Sequence, residues 1–235
     1  MRMKAVSAAI LGIATWLSLC APAAAAAPAQ KRVNCARVKC VALTFDDGPS
    51  AGTARLLTAL RRSGARATFF VVGDQARARP GLVARAHAEG HEIGDHTEHH
   101  PQLTGLPSGR IHQEIDGTRR TIARLTGARP VLLRPPYGAT DGRVAAQARR
   151  LGLAQVLWDV DTLDWRDRDH AVVARRAVRG LHRGAIILMH DSRPTTVAAV
   201  PAVLRAARAK GYALVTVSEL LGSTSPGKVY RSGRR

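Results

Sequence analysis

The chain has 235 residues, 46% hydrophobic and 23% charged, enough apolar material for one domain with a sizeable core and normal for a soluble globular protein. Lysine and arginine total 36 against 17 acids, and the net charge of +19 implies polyanionic surroundings. In an exported protein that balance suits an anionic cell-wall polymer or acidic polysaccharide, with a solvated Arg-rich surface as the alternative, and nucleic acid is not expected.

Export is expected from residues 1–27. Arg2 and Lys4 form a short positive region, Ala5 to Leu19 an apolar run, and Ala21 to Ala27 small-residue cleavage sites, the pattern of a secretory signal peptide. The run is short for a spanning helix, so no permanent membrane anchor is expected. Leu19 precedes Cys20, whereas a lipoprotein signal wants a small residue there. The expected location is secreted, extracellular or wall-associated. Removing the signal leaves Cys35 and Cys40, and an even pair in an exported chain favours a disulfide. It would pin the short leader, residues 28–37, onto the first strand.

That first strand, about 41–46, is the apolar run that ends in Asp46-Asp47-Gly48-Pro49. Side chains alternate across a regular strand, so the two carboxylates cannot point the same way while it stays regular. The Gly-Pro break displays both beside a loop, where two environments allow two jobs, metal ligand and proton acceptor.

The chain then alternates. Helices are predicted over 51–63, 80–89, 108–126, 141–151 and 170–181. Another runs to about 210, beginning or bending near Pro201, and a final turn covers 218–221. Strands are predicted at 67–72, 92–95, 131–134, 154–160, 185–190 and 212–217. Residues 223–235, rich in Gly, Ser and Arg, read as a disordered basic tail. Seven strands alternating with helices imply a parallel sheet, closed into a barrel or open and doubly wound, with the active site at the carboxyl ends of its strands. Asp46 and Asp47, His96, Arg134, Asp161 and Asp164, and His190 all fall at such ends.

Each group suggests chemistry. The His96/His100 spacing can aim two rings at one ion from a helical turn, with His99 as an alternative second ligand. Asp47 completes a two-His, one-carboxylate set suited to a catalytic divalent metal such as zinc. Such an ion lowers the pKa of water from 15.7 to about 7. Asp46 is then the candidate base, and His190 the candidate proton donor to a leaving group. In Arg134-Pro-Pro-Tyr-Gly138 the free Tyr137 N–H is a candidate oxyanion donor, and Arg134 can orient a carboxylate. Asp161-Thr-Leu-Asp-Trp165 offers a second carboxylate for that arginine and an indole to wall a pocket.

Thr44-Phe-Asp-Asp-Gly-Pro49, His96-Thr-x-x-His100, Arg134-x-Pro-Tyr137, Asp161-x-x-Asp-Trp165 and Ile186-x-Leu-x-His190 together resemble the five motifs of the polysaccharide deacetylases, carbohydrate esterase family 4, which share the NodB homology domain. Five motifs in order are a specific signal, and they place the domain at 38–222. The resemblance implies an α/β fold, a distorted (β/α) barrel of about seven parallel strands. It also implies metal-dependent hydrolysis of N-acetyl or O-acetyl groups on a polysaccharide such as peptidoglycan, chitin oligomers or xylan. By motif, Asp46 resembles the base, and Asp47, His96 and His100 the ligands of zinc, cobalt or another divalent ion. The Tyr137 backbone resembles the oxyanion donor and Arg134 the residue orienting the base. Asp164 resembles the partner tuning Arg134 or His190, and His190 the general acid. Trp165 and Leu188 resemble the walls of the acetyl-methyl pocket, with Pro136 beside them in the substrate site. Asp95, where the family often has Asn, is expected to raise metal affinity or shift the site's pKa values. Glu98, at a position commonly aromatic, is expected to alter the groove rim. A monomer is expected. The alternative is a non-catalytic wall-glycan-binding protein on the same fold.

Overall fold

The computed structural model describes residues 33–233. The expected signal peptide, with Cys20, and the first part of the leader lie outside them. In chain order the elements are β1 (Cys40–Gly48), α1 (Thr53–Arg62), β2 (Thr68–Val71), α2 (Gly73–Ala78), α3 (Pro80–Ala88), β3 (Glu92–Asp95), α4 (Ser108–Thr126), β4 (Leu132–Leu133), α5 (Gly142–Arg150), β5 (Ala154–Val156), β6 (Val160–Asp161), α6 (His170–Arg179), β7 (Ile186–His190), α7 (Pro194–Ala209), β8 (Ala213–Leu214), α8 (Val217–Leu221) and β9 (Val229–Tyr230).

β1 is central. It pairs in parallel with β2 on one side and β7 on the other, and its first residues also pair with β8. The sheet order is β6-β7-β1-β2-β3-β4-β5-β9, parallel throughout. β1 reads as a continuous apolar run because both faces are covered. Val41, Leu43 and Phe45 pack outward under α1, α6 and α7, while Ala42 faces an inner cluster. That inner cluster joins Ile186 of β7 to Ala154 and Val156 of β5, residues from strands far apart in the sheet. The sheet is therefore curled into a half-barrel. The link from β5 to β6 makes the same point. Only Leu157, Trp158 and Asp159 separate the two, yet β6 is one end of the sheet and β5 lies next to the other. Four Cα steps span at most about 15 Å, so the two edges nearly meet.

This link corrects the single strand expected over 154–160. The chain leaves one edge at Val156 and rejoins at the opposite edge at Val160, a jump invisible to local patterning. The tail is the other correction. Residues 229–230 form β9 on the free edge of β5, where Gln155 N–H donates to Lys228 O and Leu157 N–H to Tyr230 O. Tyr230 packs on the inner cluster, which α8 plugs with Val217, Leu220 and Leu221. An open sheet edge orders a polar segment that has no core of its own to form. Nine strands thus appear among the described residues where seven were expected.

The helices follow the pattern read from their apolar spacing. α4 spans the predicted residues, buries Ile111, Ile115, Thr118 and Ile122, and stops at Gly127 in the left-handed region. α7 begins at Pro194, so Pro201 sits inside it and not at its start. α2 was not anticipated; it is six residues long, below the length at which periodicity is legible. Cys35 and Cys40 form the expected disulfide.

Candidate active site

The two adjacent carboxylates share a site because β1 does not stay regular. Its register against β2 shifts between Asp46 and Gly48, and Asp47 takes a left-handed φ of 69°. A bulge re-aims one side chain of a strand, and Asp tolerates that conformation better than most residues. Asp46, 2% exposed, remains in register with His190 of β7. Asp47 swings toward the loop that follows β3.

That loop carries His96 and His100. It is not the helical turn expected. Thr97 and His100 both have left-handed φ values, 67° and 61°, and the Asp95 carboxylate accepts the Thr97 N–H at 2.8 Å, fixing the bend. The two rings meet edge to face at 4.8 Å. His96 Nδ1 lies 2.6 Å from Arg134 O, an N–H donor position that leaves Nε2 facing inward as a lone-pair donor. Asp47 Oδ1 lies 3.5 Å from His96 Nε2 and 3.3 Å from His100 Nε2.

Asp47, His96 and His100 thus bring three ligand atoms within 4.8 Å of one another. Asp47 Oδ1 is buried without a hydrogen-bond partner, a costly state that a cation would relieve. Burial pushes the Asp47 carboxyl up, but His96 beside it, with His190 and His100 near, holds it at about 2. Burial, reinforced by His96, pushes the His100 imidazole below its ordinary value and keeps it the neutral ligand form. The donors fit a divalent ion.

Asp46 is held from the far side. Arg134, fully buried, donates from Nη1 to Asp46 Oδ1 at 2.7 Å and to Thr44 Oγ1 at 2.8 Å. Its other donors reach Val156 O and Leu157 O, the residues at which the chain crosses between sheet edges. Its guanidinium stacks 4.2 Å above the Phe70 ring. One arginine therefore fills the barrel centre with its charge answered by one carboxylate.

His190 stands on the opposite side of the cluster. Its Nδ1 is 2.8 Å from Asp164 Oδ1, and its backbone N–H donates to Asp164 Oδ2 at 2.7 Å. Thr196 donates its hydroxyl to the same carboxylate. Burial alone would lower the His190 pKa; the Asp164 hydrogen bond and the charges of Asp164, Asp46 and Asp47 overcome it and raise it to about 9. Leu188 lies one pleat below His190 on the inner face, buried and in register with Thr44. Tyr137, 66% exposed, has a left-handed φ of 61°, and its ring meets His100 edge to face at 4.9 Å. Its N–H makes no hydrogen bond among the described residues. Pro136 is buried beneath it, and Trp165 is half exposed next to Asp164.

Several expectations resolve differently. His99 turns away to Glu114, 3.0 Å from its carboxylate, and is no ligand. Asp161 does not reach Arg134; its carboxylate accepts the Leu163 N–H at 2.8 Å within its own turn. Asp164 serves His190 and not Arg134. Glu98 turns to α2 and α4. It pairs with Arg77 and accepts the Thr118 hydroxyl, lying where a Cβ on Gly73 or Gly117 would stand. Asp95 stays outside the ligand set, and burial pushes its carboxyl well above the ordinary range. Thr44, Thr196 and Asp191 were missed. Thr44 carried a signal, being two residues before Asp46 and hence on its face. Thr196 and Asp191 reach the cluster from the end of β7 and the start of α7 and carried none. Asp191 is buried, and that burial, with the nearby Asp47 and Asp46 charges, raises it to about 7.

A family model for polysaccharide deacetylases matches residues 33–156. The chain belongs to the polysaccharide deacetylase family. It shows 42% identity over 185 residues with the peptidoglycan-N-acetylglucosamine deacetylase PgdA of Listeria monocytogenes, covering 78% of this chain and 39% of that protein. The chain thus spans about two fifths of that relative's length. The T48 deacetylase, solved with substrate, has a TM-score of 0.81 and 42% identity over 84% of this chain and 99% of its own. The family 4 carbohydrate esterase from Streptomyces lividans, solved with acetate, has a TM-score of 0.75 and 38% identity over 80% of this chain and 98% of its own. The two solved structures share the curled parallel sheet described above.

Proposed function

We propose that this polysaccharide deacetylase is a secreted, zinc-dependent N-deacetylase acting on a wall glycan of the peptidoglycan type. One observation carries the reading: Asp47, His96 and His100 form a metal-competent triad with Asp46–Arg134 on one side and His190–Asp164 on the other. Asp47, His96 and His100 would hold a divalent ion, which would supply Lewis-acid polarisation of the acetyl carbonyl and a more acidic water.

The chain's own residues do the rest. Asp46 accepts a proton from the attacking water, and Arg134 fixes the carboxylate so that one oxygen stays aimed at the site. The Tyr137 N–H, free of internal bonds, donates to the oxygen that gains charge at the acetyl carbon. Asp164 accepts a hydrogen bond from the His190 Nδ1–H, which fixes the ring and leaves the Nε2 proton for the leaving nitrogen as the C–N bond breaks. Water supplies the new oxygen of acetate and the amine keeps the donated proton, so the reaction balances. Leu188 offers the apolar wall for the acetyl methyl, and Tyr137, Pro136 and Trp165 the surface for the sugar. Every group assigned a role comes from this one chain. Secretion is supported by the signal-like residues 1–27, and no helix among the described residues is long and apolar enough to cross a membrane.

Acetate release from zinc-loaded protein on peptidoglycan, chitooligosaccharides and acetylxylan, side by side, tests this. The expected order is peptidoglycan first. Asp46→Asn should lower kcat by about 100-fold or more. Binding to glycan without acetate release from any substrate would instead favour a non-catalytic wall protein.

A further inference from the structure

The Asp47 bulge is held from outside its own strand. Asp191 follows β7, next to His190 in the chain, and is 1% exposed. Its Oδ2 accepts the Thr53 hydroxyl, and its backbone carbonyl accepts the Ser50 hydroxyl at 2.7 Å. Thr53 Oγ1 accepts the Ser50 N–H at 2.7 Å, and Ser50 Oγ the Gly52 N–H at 3.0 Å. The turn leaving β1 is thus tied at two points to the end of β7. Gly48 completes the fit, because a Cβ there would overlap both Asp191 carboxylate oxygens. Asp191 Oδ1 has no partner of its own. A residue forced into the left-handed region costs on the order of 1–3 kcal/mol and persists only where its surroundings over-determine it. Asp47 is such a residue, one position before Gly48. None of Asp191, Thr53 and Ser50 has a part in the chemistry assigned to the site.

We propose that Asp191 is a positioning residue that clamps the Asp47 bulge through Thr53 and Ser50 and thereby sets metal affinity. The inference rests on the metal-site reading of Asp47, His96 and His100. Asp191 touches neither substrate nor ion; it acts by keeping the Asp47 oxygen where His96 and His100 meet it. Groups hydrogen-bonded to a metal's ligands are worth 10–100-fold in affinity, and the Asp191 clamp acts one link further out, through the backbone conformation of Asp47 itself.

The test uses the full chain and zinc itself, with the dissociation constant measured by competition against a chromophoric chelator and folding followed by urea titration. Asp191→Ala should weaken zinc binding at least ten-fold and lower kcat, leaving KM for an acetylated oligosaccharide within about two-fold. Thr53→Val, remote from His190, should do the same, and the double variant should be no worse than either single one, since both break one link. Asp191→Asn keeps an oxygen for the Thr53 hydroxyl and should hold zinc within about three-fold of wild type. Wild-type zinc affinity in Asp191→Ala, multiplying losses in the double variant, or a loss in Asp191→Asn as large as in Asp191→Ala would each overturn the clamp. Failure of the wild-type protein to bind zinc is a different result: it would overturn the metal-site reading, and the clamp with it.

Discussion

Asp46 and Asp47 are chemically identical neighbours, and their surroundings divide them. Asp46 faces a buried guanidinium at 2.7 Å, and Asp47 faces two imidazoles at 3.3 and 3.5 Å. The division was legible as a possibility in the sequence, because adjacent strand residues point apart. How it is achieved was not, since a bulge leaves no compositional mark. His190 offers a titration that reports on the proposed chemistry. A general acid works while protonated, so activity should fall as pH rises through its raised pKa of about 9. Asp164→Asn removes the main support for that value, and the alkaline limb of kcat against pH should move at least one unit toward neutrality. His91 offers a second titration, unrelated to catalysis. It is buried between α3 and β2, accepts the Ala67 N–H at Nδ1, and burial lowers its pKa from 6.5 to about 4. Its neutral form is the one the fold accepts. Its contribution is therefore complete above pH 6.5 and is lost as pH falls toward 4, by about 3 kcal/mol in all. Urea midpoints at pH 7 and pH 4.5 should fall less in His91→Gln than in wild type.

Elements were read well where periodicity is long and poorly where it is short. α4, at 19 residues, was placed to the residue because its apolar stripe and terminal glycine agree. The His96–His100 spacing predicts a helical turn because i, i+4 is the only local cue; two left-handed residues bring the same rings together without a helix. The disulfide was legible from cysteine count and export. It closes a short loop, Cys35 to Cys40, in front of β1. Closing so few residues restricts the unfolded chain modestly, by about 2 kcal/mol in the chain-entropy account. The Cys35→Ser/Cys40→Ser double variant should accordingly show a lower urea midpoint with an unchanged kcat, checked on an acetylated oligosaccharide. A large fall in kcat would mean that the leader, and not only β1, shapes the site.

At the scale of the whole molecule, the metal-competent triad sits at the carboxyl ends of the strands and a basic cavity at the other end. Arg62, Arg205 and Arg208 line about 430 Å3 where α1 and α7 finish, and none of the three forms an ion pair among the described residues. Three unanswered guanidinia at this end are expected to hold an anionic polymer while the strand ends stay open. On immobilised inorganic polyphosphate, the triple alanine variant should elute at lower salt than wild type. The slope of log affinity against log salt should shrink by about two to three. Deacetylation of a soluble chitooligosaccharide should be unchanged. By itself the sequence determined the α/β alternation, the strand ends that gather the candidate site residues, the candidate ligands and the charge. Each depends on local patterning or on residue chemistry, which the chain states directly. Only the tertiary structure decided that the sheet curls until a three-residue link joins its edges, and that the tail supplies a strand. The bulge, the Arg134 contacts and the Asp191 anchor were likewise its decision. Those depend on which distant segments share a surface, and no short-range pattern encodes that.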